Sequence, residues 1–409
     1  MATGWFPDDF WSEYWAEYWP IYGVPAPTPP PTTVVYVPPG GATQYAVWLL
    51  SPTRTRLALI DRVIRLQTTL TANAVGVAQV TLPASFPLTY IQEDSCLEIW
   101  RQVPGGQKYL EGETIWLIRD WDQVLTERGE ELVVATAYTA NEELDRPMVD
   151  YAAGTAYASK TDYIDDMMKA LVRENLGSLA TDGDRDFSDW LTVEGDASAG
   201  PSTSKKFAWR NVMAVLRELA QEADDQGSPV FFDVAHVPGQ QASEFRTYIG
   251  QRGVDHSSTG AEPVILSPRN GTLSDVRRAY VSSVERNAVI VGGPGQGDDR
   301  QIVRQEESER LNISPINRRE LFIDARGSDT TAAMEAEAGT AIRNNRPRET
   351  FSAKVRDTGA IKYGREYGFG DRVMAEFQGR TVDCRLDSVQ LVVERGKETI
   401  RAGLTADES

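Results

Sequence analysis

The stretch Tyr363-Gly364-Arg365-Glu366-Tyr367-Gly368-Phe369-Gly370-Asp371-Arg372-Val373 constrains the fold of this chain more than any other. Glycines 364, 368 and 370 permit the positive φ that tight turns need, and Val373-Met374-Ala375-Glu376-Phe377 then alternates between two faces. Gly379 turns the chain into a strand predicted over 381–386. A second strand is predicted over 389–393, and Glu394-Arg395-Gly396-Lys397 reverses the chain before a third over 399–404. Residues 350–409 are therefore expected to close as a small antiparallel β-domain. Tyr363, Gly364, Tyr367, Gly368, Gly370 and Asp371 form its turn motif, with Asp371 as a turn residue, not a ligand.

Residues 45–140 carry the same signature. Tyr45, Val47 and Leu49 alternate, as do Leu97, Ile99, Arg101 and Val103, which lead into the hairpin turn Pro104-Gly105-Gly106. Strands over 114–119 and 132–138 follow. Short strands with frequent turns and no long helix predict a sandwich or barrel.

Between these β-regions helices take over. Ile164, Met167, Met168, Leu171 and Val172 have helical spacing, with Thr161 or Asp162 as the expected cap and Gly177 just past the end. A second run, Trp209, Val212, Met213, Leu216, Leu219, Ala220 and Ala223, stops at Gly227 and precedes the buried strand Val230-Phe231-Phe232. The Met pair and Trp209 are expected in the core. A third helix is predicted from Asp329, with Met334, Ala338, Ala341 and Ile342, ending before Pro347. The fold class is thus α+β and β-rich: two β-barrel-like domains (45–140 and 350–409), an acidic helical insert (141–230) and a mixed α/β insert (231–349).

Ahead of them lies an arm, residues 1–44. Nine of the first 22 residues are aromatic, with Phe6, Phe10, Tyr14, Tyr18 and Tyr22 in one ladder, Trp11, Trp15 and Trp19 in another, and Trp5 beside them. A helix so short needs a surface to dock on, and the proline-rich residues 23–41 form an extended tether. The arm is expected to pack on a neighbouring subunit, the alternative being that it folds back on its own domain.

Candidate chemistry fails residue by residue. Asp182-Gly183-Asp184-Arg185-Asp186 starts like a calcium loop, but Phe187 stands where glycine is required and Val193 where a bidentate Glu belongs. Gly292-Gly293-Pro294-Gly295-Gln296-Gly297 lacks a following Lys-Ser or Lys-Thr and abuts Asp298-Asp299, which predicts a hairpin loop, not a phosphate cradle. Cys96 and Cys384 read as buried hydrophobes, and His236 and His256 have no metal-ligand spacing. No catalytic residue, metal or cofactor is expected. Of the net charge of −18, half falls in residues 141–230, where acidic side chains exceed basic ones by nine. That balance disfavours tight binding of nucleic acid but suits a channel through which it slides. No apolar run reaches membrane-spanning length.

The chain resembles the hub or tail-associated proteins of long-tailed phages. The resemblance rests on Val47-Trp48-Leu49-Leu50, the turn from Trp100 to Tyr109, Leu144-Asp145-Arg146-Pro147-Met148-Val149-Asp150-Tyr151, Phe207-Ala208-Trp209-Arg210-Asn211-Val212, and Tyr363 through Asp371. It implies a homotrimer in which the two barrel-like domains of each chain alternate around a ring. Such a ring adapts the six-fold tail tube and distal tail ring to a three-fold tip and lets genomic DNA pass. The implied partners are the distal tail protein, the tail tube or tape measure protein, and tail-tip or fibre proteins. The implied location is the virion tail tip, after synthesis in the host cytoplasm. Two other readings stand beside it: a tail-associated cell-wall hydrolase, for which only a few residues remain beyond the last predicted strand, and a host-surface binding module using the arm's aromatics.

Overall fold

The structure, a computed structural model, describes residues 42–150, 158–207, 209–326, 330–358 and 360–406. The aromatic ladders, Tyr151, Ala208 and Asp329 lie outside them. The first β-region holds β1 (Gln44–Leu50), β2 (Arg56–Leu59), β3 (Arg65–Thr71), β4 (Val77–Pro83), β5 (Cys96–Gln102), β6 (Lys108–Leu110), β7 (Trp116–Leu125) and β8 (Glu131–Thr139). Period-two patterning fixes their faces: Leu66 and Leu70, Ala78, Val80 and Leu82, and Val133, Ala135 and Ala137 all point into one core. The predicted Pro104-Gly105-Gly106 turn joins β5 to β6, with Gly105 at φ +80°.

The middle of the chain folds onto this sheet's other face. Helices Ile164–Leu176 and Val212–Asp225 bury their apolar stripes with Leu50, Cys96 and Ile115 of the first region and with Leu144 just after it. Met167 and Met168 are buried as expected. The expected cap is corrected. Residues Thr161 and Asp162 belong to strand β9 (Ala158–Tyr163), and Tyr163 precedes the helix without a side-chain cap. Further strands are β10 (Leu191–Val193), β11 (Ser202–Phe207), β12 (Val230–His236) and β13 (Ser243–Ile249). Trp209 is also corrected. It is 60 % exposed at φ +48°, because the second helix starts only after Asn211, whose side chain accepts from the Ala214 N–H at 2.9 Å. Asp182–Asp186 makes an exposed turn in which Asp182 accepts from the Asp184 N–H.

Strands β14 (Asp255–His256), β15 (Ile265–Leu266) and β16 (Leu273–Val281) follow, then a small sheet of β17 (Ala288–Gly292), β18 (Ile302–Glu306) and β19 (Glu320–Asp324). The glycine run connects β17 to β18 as a hairpin loop, held by Arg300 on the carbonyls of Gly292 and Gly293. Helix Thr331–Asn344, capped by Thr330 on Ala333 N–H, covers this sheet with Met334, Ala338 and Ile342.

The last strands are β20 (Arg348–Val355), β21 (Arg372–Phe377), β22 (Arg380–Glu394) and β23 (Lys397–Ala406). Two strands predicted within 381–393 are one 15-residue strand, β22. Its first half pairs with β21 and its second with β3, and the change of partner falls at a bulge between Leu386 and Ser388. The freed Asp387 carbonyl accepts from Ala72 N–H at 2.8 Å. Both β-regions thereby merge into one 15-stranded sheet, in the order β16-β20-β23-β22-β3-β4-β8-β7-β5-β1-β2 with β6, β14, β15 and β21 alongside. Among the described residues the strands form this open sheet, not two closed barrels. The physical reason is that β22 fills the edge of β3 at which a separate first barrel would have had to close. Leu391 accordingly sits in the first core, whereas Leu386 and Val389 of the same strand sit in the C-terminal one.

Candidate functional site

The junction between the two β-regions is built around Arg101, the third inward position of the alternation Leu97, Ile99, Arg101. Its side chain is 0 % exposed. Nε donates to Glu398 Oε1 at 2.8 Å and to Tyr45 Oη at 3.0 Å, and Nη1 donates to Tyr109 Oη at 2.5 Å and to the Tyr363 carbonyl at 2.7 Å. Asp357 Oδ2 lies 4.0 Å from Nη2, and the guanidinium stands over the Tyr363 ring at 5.1 Å. Tyr363 Oη donates to the buried Glu111 at 3.2 Å. Burial pushes the Glu111 carboxyl up, against the pull of Arg101, and does the same at Asp357. A buried guanidinium needs this many acceptors, because an unpaired charge there would cost several kcal/mol.

The turn motif is folded into this junction. Gly364, at φ +81°, brings the backbone so close that a Cβ would lie 2.5 Å from Arg101 Nη1. The rings of Tyr363 and Tyr367 meet edge to face at 5.8 Å. Gly368 and Asp371 close the turn through the Gly368 N–H on Asp371 Oδ2 at 2.5 Å. Asp371 Oδ1 accepts from Val254 N–H at 2.6 Å, so the same carboxylate ties the middle of the chain to the C-terminal strands. Burial raises the Asp371 carboxyl even though those two N–H groups lower it. Gly370, at φ +87°, packs on Arg252, which donates to Asp233 and lies over the Phe369 ring at 4.9 Å.

Tyr363, Gly364 and Tyr367 thus meet at Arg101, and Gly368, Gly370 and Asp371 meet at Arg252 and Val254. The docking candidates Trp5, Phe6, Phe10, Trp11, Tyr14, Trp15, Tyr18, Trp19 and Tyr22 lie outside the described residues. Sequence reasoning missed Arg101, Glu111 and Glu398. The signal for Arg101 was its inward register on β5, where a cation requires buried partners. Chemically the cluster is sealed, and its groups hold two β-regions together. A cavity beside it, lined by Asn73, Asn141, Asp233 and Arg252, has a volume of about 20 Å³, room for one water. Among the described residues no three His, Cys, Asp or Glu side chains converge as metal ligands, and no helix is long and apolar enough to cross a membrane.

The sequence pattern of the Siphovirus ReqiPepy6 Gp37-like proteins matches residues 46–404. The chain belongs to that family. The matched range leaves the aromatic and proline-rich residues 1–45 outside the family's pattern. No curated protein matches the sequence. Among solved structures, the chain is similar to the 43 kDa tail protein of prophage MuSo2 from Shewanella oneidensis, with a TM-score of 0.55 and 11 % identity, covering 88 % of this chain and 98 % of that one. It is also similar to the tail protein from Neisseria meningitidis MC58, with a TM-score of 0.54 and 12 % identity, covering 90 % and 97 %. At such identities the likeness is one of fold. The resemblance to proteins of long-tailed phages is borne out: the family is a siphovirus one, and the Gp37-like chain shares its fold with prophage and bacterial tail proteins.

Proposed function

We propose that this Gp37-like chain is a structural hub protein of a phage tail tip or baseplate. Three copies close into a ring that adapts the six-fold tail tube and distal tail ring to a three-fold tip and lets DNA pass during ejection. The observation that carries this reading is β22, one strand that belongs to both β-regions. It makes each chain a rigid pair of β-units, so three chains present six units around an axis. The Arg101 cluster fixes the angle between the two units, which is what a ring segment requires. The role is mechanical and needs no catalytic group.

The ring's neighbours in the virion are the distal tail protein, the tail tube or tape measure protein, and tail-tip or fibre proteins. Residues Trp5 to Tyr22 of the arm dock on one of these or on the adjacent copy. A reconstruction of the virion tail that locates this chain and counts it is the test. Three copies around the tail axis are expected, and six or more in one ring would overturn the reading. Robust wall degradation by the purified protein would replace it with the hydrolase alternative.

A further inference from the structure

The open sheet has two bare edges whose surfaces are complementary: the outer half of β7, past its pairing with β5, and the terminal strand β16. Strand β7 is buried over Trp116–Ile118 and then exposed at every one of its seven remaining positions, so its outer half is a bare edge on β8, which itself stays buried at Val133 and Ala135. That edge carries Trp121, 45 % exposed, and Leu125, 69 % exposed, an apolar surface open to a partner. Its charge is one-sided: residues 120–131 hold Asp120, Asp122, Glu127, Glu130 and Glu131 against Arg128.

Strand β16 ends the sheet, separated from β8 by five strands and, among the described strands, bonded only to β20. Its exposed apolar residues are Tyr280, 63 %, and Val281, 37 %, with Val284 just beyond it, 51 %. The margin is basic. Arg277, Arg356 and Arg401 are exposed, and Lys354, Arg356 and Arg401 surround Asp275, which Lys354 pairs at 2.8 Å. A bulge between Ser274 and Arg277, with Asp275 at φ +49°, disrupts this edge against strand-to-strand extension. What the margin offers a partner is therefore side chains: an apolar centre beside a positive field.

Taking the ring as premise, we propose that the β7–β8 hairpin of one copy docks head to tail on the β16 margin of the next copy. The acidic ribbon meets the arginines, and Trp121 and Leu125 meet Tyr280 and Val284. The contact joins two different surfaces, so it closes a ring if the rotation between copies closes. Opposite fields on the two margins also steer the correct pairing and oppose hairpin-to-hairpin encounters.

The test uses the full chain in three charge-reversed forms, with mass read by sedimentation velocity. The hairpin form carries Asp120→Lys, Asp122→Lys and Glu130→Lys, the margin form carries Arg277→Glu, Arg356→Glu and Arg401→Glu, and the third carries all six. Wild type and the six-fold form should assemble, and each three-fold form alone should sediment as a monomer. Thermal melts matching wild type establish that each form folds. Assembly unchanged in both three-fold forms overturns the docking whatever the copy number, as does a wild type that stays monomeric. A wild-type ring of other than three copies that responds to the reversals as stated keeps the docking and overturns the three-fold hub. As a second readout, a photo-crosslinker at position 125 should capture residues 273–284 of another copy, and capture elsewhere overturns the proposal.

Discussion

Arg101 donates a hydrogen bond to the backbone carbonyl of Tyr363, 2.7 Å away across the junction and 262 positions further along the chain. This bond, with those to Glu398 and Tyr45, joins β5, β1 and the start of β23 to the C-terminal turn. Arg101→Met should destabilise the chain by about 3–5 kcal/mol, because Glu398 and Glu111 are left near the interior without their cation. Chemical denaturation followed by tryptophan fluorescence measures it. A loss below about 1 kcal/mol would mean that the cluster is not what holds the junction.

Gly364 and Gly379 make a controlled pair. Both have positive φ, +81° and +78°, but a Cβ at 379 meets open space, whereas one at 364 overlaps Tyr109 Oη and crowds Arg101. Gly379→Ala should cost about 1 kcal/mol from backbone strain alone. Gly364→Ala should cost about 2–5 kcal/mol, because overpacking adds to that strain. Equal losses in paired melts would contradict the close approach.

Stability should fall with acid through His236. Its pKa is lowered to about 4 from the ordinary 6.5, by burial first and then by the Arg54 and Arg56 charges. The ring is buried, its Nε2 is 3.9 Å from Glu98 Oε1, and its Nδ1 is 3.4 Å from Ser243 Oγ. The unfolded chain takes up the proton first, so the contribution of the neutral ring is present above pH 6.5 and is lost as the pH falls toward 4. The slope is up to about 1.4 kcal/mol per pH unit. Glu111 acts in the opposite sense, since burial raises its pKa and acidification favours its folded form. His236→Gln should flatten the loss between pH 6.5 and 4, and an unchanged slope would assign it to other groups.

Asp371→Asn keeps shape but turns one acceptor into a donor facing either Val254 N–H or Gly368 N–H. The expected loss is about 1–3 kcal/mol. Hydrogen exchange should quicken at Val254 and along β14, which pairs with β21 next to Asp371. Unaltered exchange there would separate the carboxylate from the ordering of this segment.

Much of this fold was legible because local pattern decided it. The helix ending at Gly177 follows from apolar spacing. The hairpins at Gln378-Gly379 and Arg395-Gly396 follow from residues that tolerate positive φ. What local pattern could not carry was partnership. The bulge after Leu386 breaks alternation and made β22 read as two strands, and its pairing with β3 is a contact between opposite ends of the chain. Trp209 fits the helical spacing of Val212 and Met213, but the Asn211 cap starts the helix after it and leaves the indole outside. Arg101 reads as an odd member of an apolar row until Glu398, Tyr109 and Tyr363 arrive from three other segments.

The pairing of β3 with β22 also sets a clock on biosynthesis. Leu66 lies opposite Val393, 327 residues later, and a ribosome adding about 5–20 residues per second needs roughly 16–65 s to make that span. For most of that interval, once β8 (Glu131–Thr139) has emerged, the first β-region waits with the flank of β3 bare, beside strands rich in valine, threonine and leucine. A nascent chain in that condition is open to pairing with its neighbours on the same message, so the yield of soluble protein is governed by how β3 is shielded until β22 emerges.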